Sequence, residues 1–227
     1  MSETDIPSLV SIITPAFANI PSEAVLTGYP SDPNSLQAAA ERHLHTFRQH
    51  ARDFAIPCGI KCVHTDTTTG NETLIGGAYW FVYDRPRTKE EYETINYLLS
   101  ADWVTNPADQ AKVRAWLQPV ADGRVKWMAD KPHGVLIYMA ISPEWRRKGA
   151  ATMAVRWGLE ECRKLGIPAY LEASEEGVPV YEQLGFETMD TVRIDSHGMV
   201  AEFPIMIRWP EGTRQDEKAP ALPDFGT

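Results

Sequence analysis

What this chain lacks narrows it before any motif is read. Its three cysteines, Cys58, Cys62 and Cys162, are too few and odd in number for a disulfide framework. No stretch approaches the roughly 20 apolar residues that cross a bilayer, and MSETDIPSLVSIITP has neither the basic start nor the apolar segment of a signal peptide. The expectation is a soluble cytoplasmic protein with no membrane partner. Positive charge is in deficit, with 22 Lys and Arg against 31 Asp and Glu, a net charge of −9. Nucleic acid is therefore not an expected partner, because affinity for a polyanion rests on a basic face; acidic character leans towards a cationic acceptor. Repeats and low-complexity blocks are missing too. Cys58, Cys62 and His64 could share one strand face, but no second Cys/His pair at matching spacing completes a zinc site, so no metal is expected.

What is present suits one large domain. The chain has 227 residues, 43% hydrophobic and 23% charged, enough for a sizeable core. We expect a single domain over 1–210 and a flexible tail over 211–227, where EGTRQDEKAPALPDFGT holds too few apolar residues to pack. Leu9 to Thr14 reads as a short strand ending at Pro15. Ser35 to Phe54 reads as a helix capped by Ser35, with Leu36, Ala40, Leu44, Phe47 and Ala51 on one face. Gly59 to Thr65 and Thr73 to Tyr83, separated by DTTTGNE, form a hairpin. Residues 84–131 are polar and irregular, with helical patterns at Lys89 to Ser100 and Asp109 to Leu117, and Trp103, Trp116 and Trp127 read as core filling, with an acceptor-pocket role as the alternative.

The most informative run is GVLIYMAISPEWRRKGAA, residues 134–151. An apolar strand delivers the chain to a helix start, where free backbone N–H groups and the positive end of the macrodipole favour an anion. Gly149, Ala150 and Ala151 keep the spot bare for close approach, and Arg146, Arg147 and Lys148 add cations against an acidic background. The following helix places Ala151, Val155, Gly158, Leu159, Cys162 and Leu165 on one face and stops at Gly166. The strand PAYLEAS, the short helix VPVYEQLGF and strands at Thr188 to Ile194 and Met199 to Arg208 complete the chain.

Strand, WRRKGAAT, helix, LEAS and VYEQLGF, in that order, resemble the GNAT superfamily of acyl-CoA-dependent N-acetyltransferases, with Arg146, Gly149 and Ala151 in the fixed positions of its phosphate-binding pattern. The resemblance covers residues 134–187. It implies an α/β fold with a mixed sheet of six or seven strands, helices on both sides, and a splay between Val135 to Ile141 and Ala169 to Ala173. It implies acetyl-CoA as cosubstrate: pantetheine in the splay against Met139 and Ile141, pyrophosphate on the amides of Arg147, Lys148, Gly149, Ala150, Ala151 and Thr152, and Ser174 where many relatives carry a cofactor-contacting Asn. The implied chemistry is direct attack of a neutral amine on the thioester. Backbone N–H near Met139 and Ala140 would stabilise the oxyanion, and Tyr181 would protonate the departing thiolate. Some relatives carry a base four residues before Met139, but Val135 stands there; Glu172, His133 in a loop, or a water chain to a more distant carboxylate remain as bases. Three functions follow: acetylation of a small-molecule primary amine by a monomer or homodimer, acetylation of protein Nα or lysine amines, and acyl-CoA binding without turnover.

Overall fold

The computed structural model describes residues 1–16, 33–53, 59–93, 106–196, 198–213, 215–218 and 220. Cys58 and Trp103 lie outside them. Its frame is one mixed sheet of six strands: β1 (Gly59–Thr65), β2 (Glu72–Tyr83), β3 (His133–Ile141), β4 (Ala169–Glu172), β5 (Glu187–Ser196) and β6 (Met199–Arg208). Their order is β1-β2-β3-β4-β6-β5. Only β3 and β4 run parallel; every other neighbouring pair is antiparallel.

The hairpin β1–β2 forms where the turn residues place it. Asp66 Oδ1 accepts from the amides of Thr68 and Thr69, both at 2.8 Å, and Gly70 takes the left-handed φ of 72° that closes the turn. The N-terminal segment departs from expectation. Instead of a strand over Leu9 to Thr14, helix α1 spans Ile6–Ala16 and buries Ile6, Leu9, Val10 and Ile13. Those positions follow i, i+3, i+4, i+7, a helical stripe that a short apolar run hides. Packing of that stripe on the sheet outweighs the β preference of its branched side chains.

Helix α2 (Pro33–Asp53) starts two residues before the expected Ser35 cap. After the single turn α3 (Lys89–Glu93), helix α4 (Pro107–Trp127) begins at Asn106, whose Oδ1 accepts from the Ala108 amide at 2.9 Å. It runs ten residues past the expected Leu117. Gly123 explains part of the reach: a Cβ there would stand 3.0 Å from Ile205 and 3.1 Å from Val192, so the helix lies directly on the sheet. Trp116 and Trp127 are buried beneath it.

Helix α5 (Ala150–Leu165) covers the opposite face and is docked by two glycines. A Cβ on Gly158 would fall 2.1 Å from the Trp80 ring, and one on Gly134 would fall 2.4 Å from Cys162 Sγ. α5 ends at Gly166 with φ 66°, where the sequence placed its stop. The short helix α6 (Val178–Gln183) then leads into β5. Beyond β6, Lys218 in the turn Gln215–Lys218 pairs with Glu187 at 2.7 Å. Among the described residues no helix is long and apolar enough to cross a membrane.

Candidate active site

β3 and β4 pair only over Gly134–Leu136 and Ala169–Leu171. Immediately afterwards the register of β3 against β2 shifts between Tyr79 and Trp80, which leaves Ile137 as an extra residue. That bulge bends β3 away from β4, so a gap opens in the centre of the sheet. Ile137, Tyr138 and Met139 are accordingly only half-buried, although they sit mid-strand in a sheet covered on both faces.

Backbone direction in the gap follows from one bond. Ser142 N–H donates to Ile75 O at 2.9 Å, so alternation turns the groups of Ala140 towards β2 as well. Those of Met139 and Ile141 point into the gap. The expectation that Ala140 offers an oxyanion donor is thereby corrected, since its N–H faces Gly77, its partner on β2.

The gap leads to the anion cradle. After the single turn Pro143–Trp145, Arg147 and Gly149 adopt left-handed φ values of 63° and 84°, and α5 starts. Its first backbone bond runs from Met153 N–H to Gly149 O at 3.1 Å. The amides of Ala150, Ala151 and Thr152 precede it and have no place in the helical ladder. Turned backbone followed by a helix start is anion-binding geometry, and a Cβ on Gly149 would meet nothing within 4 Å, so the cradle is open. The cations flank it. Arg146 Nε donates to Ile141 O at 3.2 Å, and Lys148 donates to Glu144 O at 3.1 Å while lying 4.4 Å above the Trp145 ring.

Tyr181 lies on α6, the short helix that follows β4. It is buried, edge-on to Phe186 at 5.8 Å, and burial pushes its phenol up to about 12. At neutral pH it therefore keeps its proton. Ser174, half-buried, gives its carbonyl to the amides of Gly177 and Val178 and so fixes the start of α6.

The expected bases look different in place. Glu172 is not free: Arg124 Nε and Nη2 each donate to one of its oxygens at 2.7 Å, and the two side chains are 9% and 11% exposed. His133 is not a solvated loop residue but the buried first residue of β3. Its Nδ1 is 2.6 Å from Lys131 O and so carries the hydrogen, and burial lowers its pKa to about 3. The ring is neutral.

Sequence reasoning missed the wall opposite these groups. His43 of α2 packs against Tyr79 and Tyr138, with ring centres 5.4 Å apart in each case, and burial lowers its pKa to about 4. The signal was a second line of positions, Ala39, His43 and Thr46, beside the expected Leu36, Ala40, Leu44 and Phe47, which do pack on the core, while Ala51 is exposed. Of the Cys and His residues that could share one strand face, Cys62 is buried under α5 with Sγ 3.7 Å from Ala150 O, while His64 stacks on Trp145 at 4.2 Å. No cluster of metal-binding side chains forms among the described residues.

This geometry has relatives. The chain is 28% identical over 122 residues to the protein named probable acyltransferase SID5 of Ajellomyces capsulatus, covering 50% of this chain and 86% of that protein. The structure of histone acetyltransferase HPA2 and related acetyltransferase from Corynebacterium glutamicum shares the fold, with TM-score 0.54 and 22% identity over 92% of this chain and 93% of that one. So does the polyamine N-acetyltransferase of Drosophila melanogaster, with TM-score 0.59 and 12% identity over 91% and 96%. The model of the acetyltransferase (GNAT) family matches residues 70–186, a span that holds the bulged strand, the gap, the cradle and Tyr181, and the chain belongs to that family of acetyltransferases.

Proposed function

We propose that the chain transfers the acetyl group of acetyl-CoA to the primary amine of a small molecule by direct attack. One observation carries the reading: a single gap joins an open phosphate cradle to half-buried Tyr138 and Met139 on the sheet floor. The cradle amides of Arg147 to Thr152 would hold the pyrophosphate, and the edge of β3 at Met139 and Ile141 would hold the pantetheine arm as an added strand is held. When bound, the cofactor supplies an activated thioester. Met139 N–H, aimed into the gap, meets the oxyanion as charge develops. Tyr181 donates its proton to the leaving sulfur.

Glu172 is assigned here to holding Arg124, because both of its oxygens are engaged. The ammonium proton then leaves through water at the half-exposed floor of the cleft. The Drosophila relative, named for polyamine acetylation, supports a small-amine acceptor, and the wall of α2, whose His43 packs on Tyr138, supports a pocket in place of an open peptide groove. The test is thiol release from acetyl-CoA with a mixed panel of amines, followed by mass spectrometry of the products. Acetylated small amines are the expected result. Release only with peptides would reassign the acceptor, and CoA binding without release would leave a binding module.

A further inference from the structure

The sheet face opposite α5 carries a side chain that the reaction above does not use. Along α2, Ala39 and Thr46 are buried, and His43 lies between them by helical spacing. Close packing would seal a ring in that place. Yet His43 is only half-buried, and so is Tyr138, the gap residue whose ring centre lies 5.4 Å from its own. Among the described residues no hydrogen bond holds either nitrogen of His43, and neither nitrogen is sealed from solvent. The wall is therefore open at this ring.

Topology sets what His43 faces. Tyr79 and Tyr138, the two rings against it, belong to the core formed with α1 and α2, whereas the side chain of Met139 packs in the core formed with α5. The backbone of Met139, turned into the gap, is one residue from Tyr138. A thioester held along that strand edge has α5 behind it and the face of His43 in front.

Burial, with the charge of Arg42 second, lowers the pKa of His43 to about 4, so at neutral pH the ring offers one N–H and one lone pair. Arg42 and Arg124, whose charges bear on Tyr138, offer donors only. A neutral amine carries N–H donors as well as the lone pair that attacks. Giving one N–H to a fixed acceptor turns that lone pair towards the carbonyl carbon and removes freedom that the attack would otherwise have to freeze out.

We propose that His43 accepts a hydrogen bond from the attacking amine and sets the direction of its lone pair. The proposal rests on the small-amine reading above and adds a residue to it. His43 is not the base; the ammonium proton still leaves through water.

The test measures thiol release from acetyl-CoA with butylamine and with benzylamine in two variants. His43→Phe keeps a ring against Tyr79 and Tyr138 but has no acceptor, and His43→Gln keeps an acceptor but loses the ring. His43→Phe should lower kcat/KM for both amines by about tenfold or more while KM for acetyl-CoA holds, and His43→Gln should keep most of the activity. A Phe variant that equals or exceeds the Gln variant would make His43 a packing residue and overturn the proposal, and so would a loss confined to KM for acetyl-CoA. If His43→Phe does not fold, His43→Ala with added imidazole decides: recovered release supports the acceptor, and no recovery overturns it. Thiol release by the wild type with none of a panel of amines would instead overturn the acetyltransferase reading on which the proposal stands.

Discussion

Tyr181 is a buried phenol held at a pKa of about 12 by desolvation alone. Such a group cannot act as a base near neutral pH, but it can give its proton to a sulfur anion as that anion forms. Tyr181→Phe should therefore lower kcat by about a hundredfold and leave KM for acetyl-CoA little changed, as read from steady-state kinetics; an unchanged kcat would make Tyr181 a packing residue. Glu172 makes the opposite case. Its likeness to a base was legible in LEAS, but the sequence could not show that Arg124, 48 residues away, closes on both oxygens. Glu172→Gln leaves a largely buried guanidinium without its counter-charge, so urea unfolding should show a loss of about 3 kcal/mol. The pH–rate profile should keep its shape, whereas loss of its acidic limb would restore Glu172 as the base.

Helix α5 carries two glycines that look alike in sequence and differ in kind. Gly149 precedes it in open space with a left-handed φ, and Gly158 is pressed against Trp80. Gly149→Asp should leave the fold nearly intact, at a backbone cost of about 1–3 kcal/mol, and abolish CoA binding in calorimetry by setting a negative charge before the phosphates. Retained affinity would refute the cradle. Gly158→Ala should act through stability, lowering it by about 1–3 kcal/mol as the helix is pushed from the sheet, a loss that thermal unfolding reads directly. The period of the apolar residues announced α5 and its stop at Gly166. For α1 the same reasoning failed, because LVSIIT is too short for periodicity to separate a helix from a buried strand.

Across the whole molecule, two histidines, half-buried His43 and buried His133, are held neutral by desolvation, at about 4 and about 3. The unfolded chain takes up protons on them near pH 6.5, so stability is full above that pH and falls as the pH drops from 6.5 towards the folded values. For His133 the loss should reach about 2 kcal/mol at pH 5, measured as the change in urea unfolding free energy between pH 7.5 and 5. Asp5, held down chiefly by its bond to Lys61, and Glu91, held down chiefly by Arg85, both lie at about 2 and add their losses only below about pH 4.5. His133→Asn should flatten the profile above pH 5, and an unaltered slope would refute the assignment. By itself the sequence determined the hairpin, the strand-cradle-helix unit, the stop at Gly166 and the family, because each depends on neighbours within a few residues: a turn, a cap, a periodic face. The tertiary structure alone decided what lines the gap. The bulge at Ile137 exists only against β2, Glu172 is bound only because α4 lies across the sheet, and His43 reaches Tyr138 from a segment with no motif. Side chains that converge from distant segments leave no spacing in the chain, because burial and charge are properties of the packed molecule.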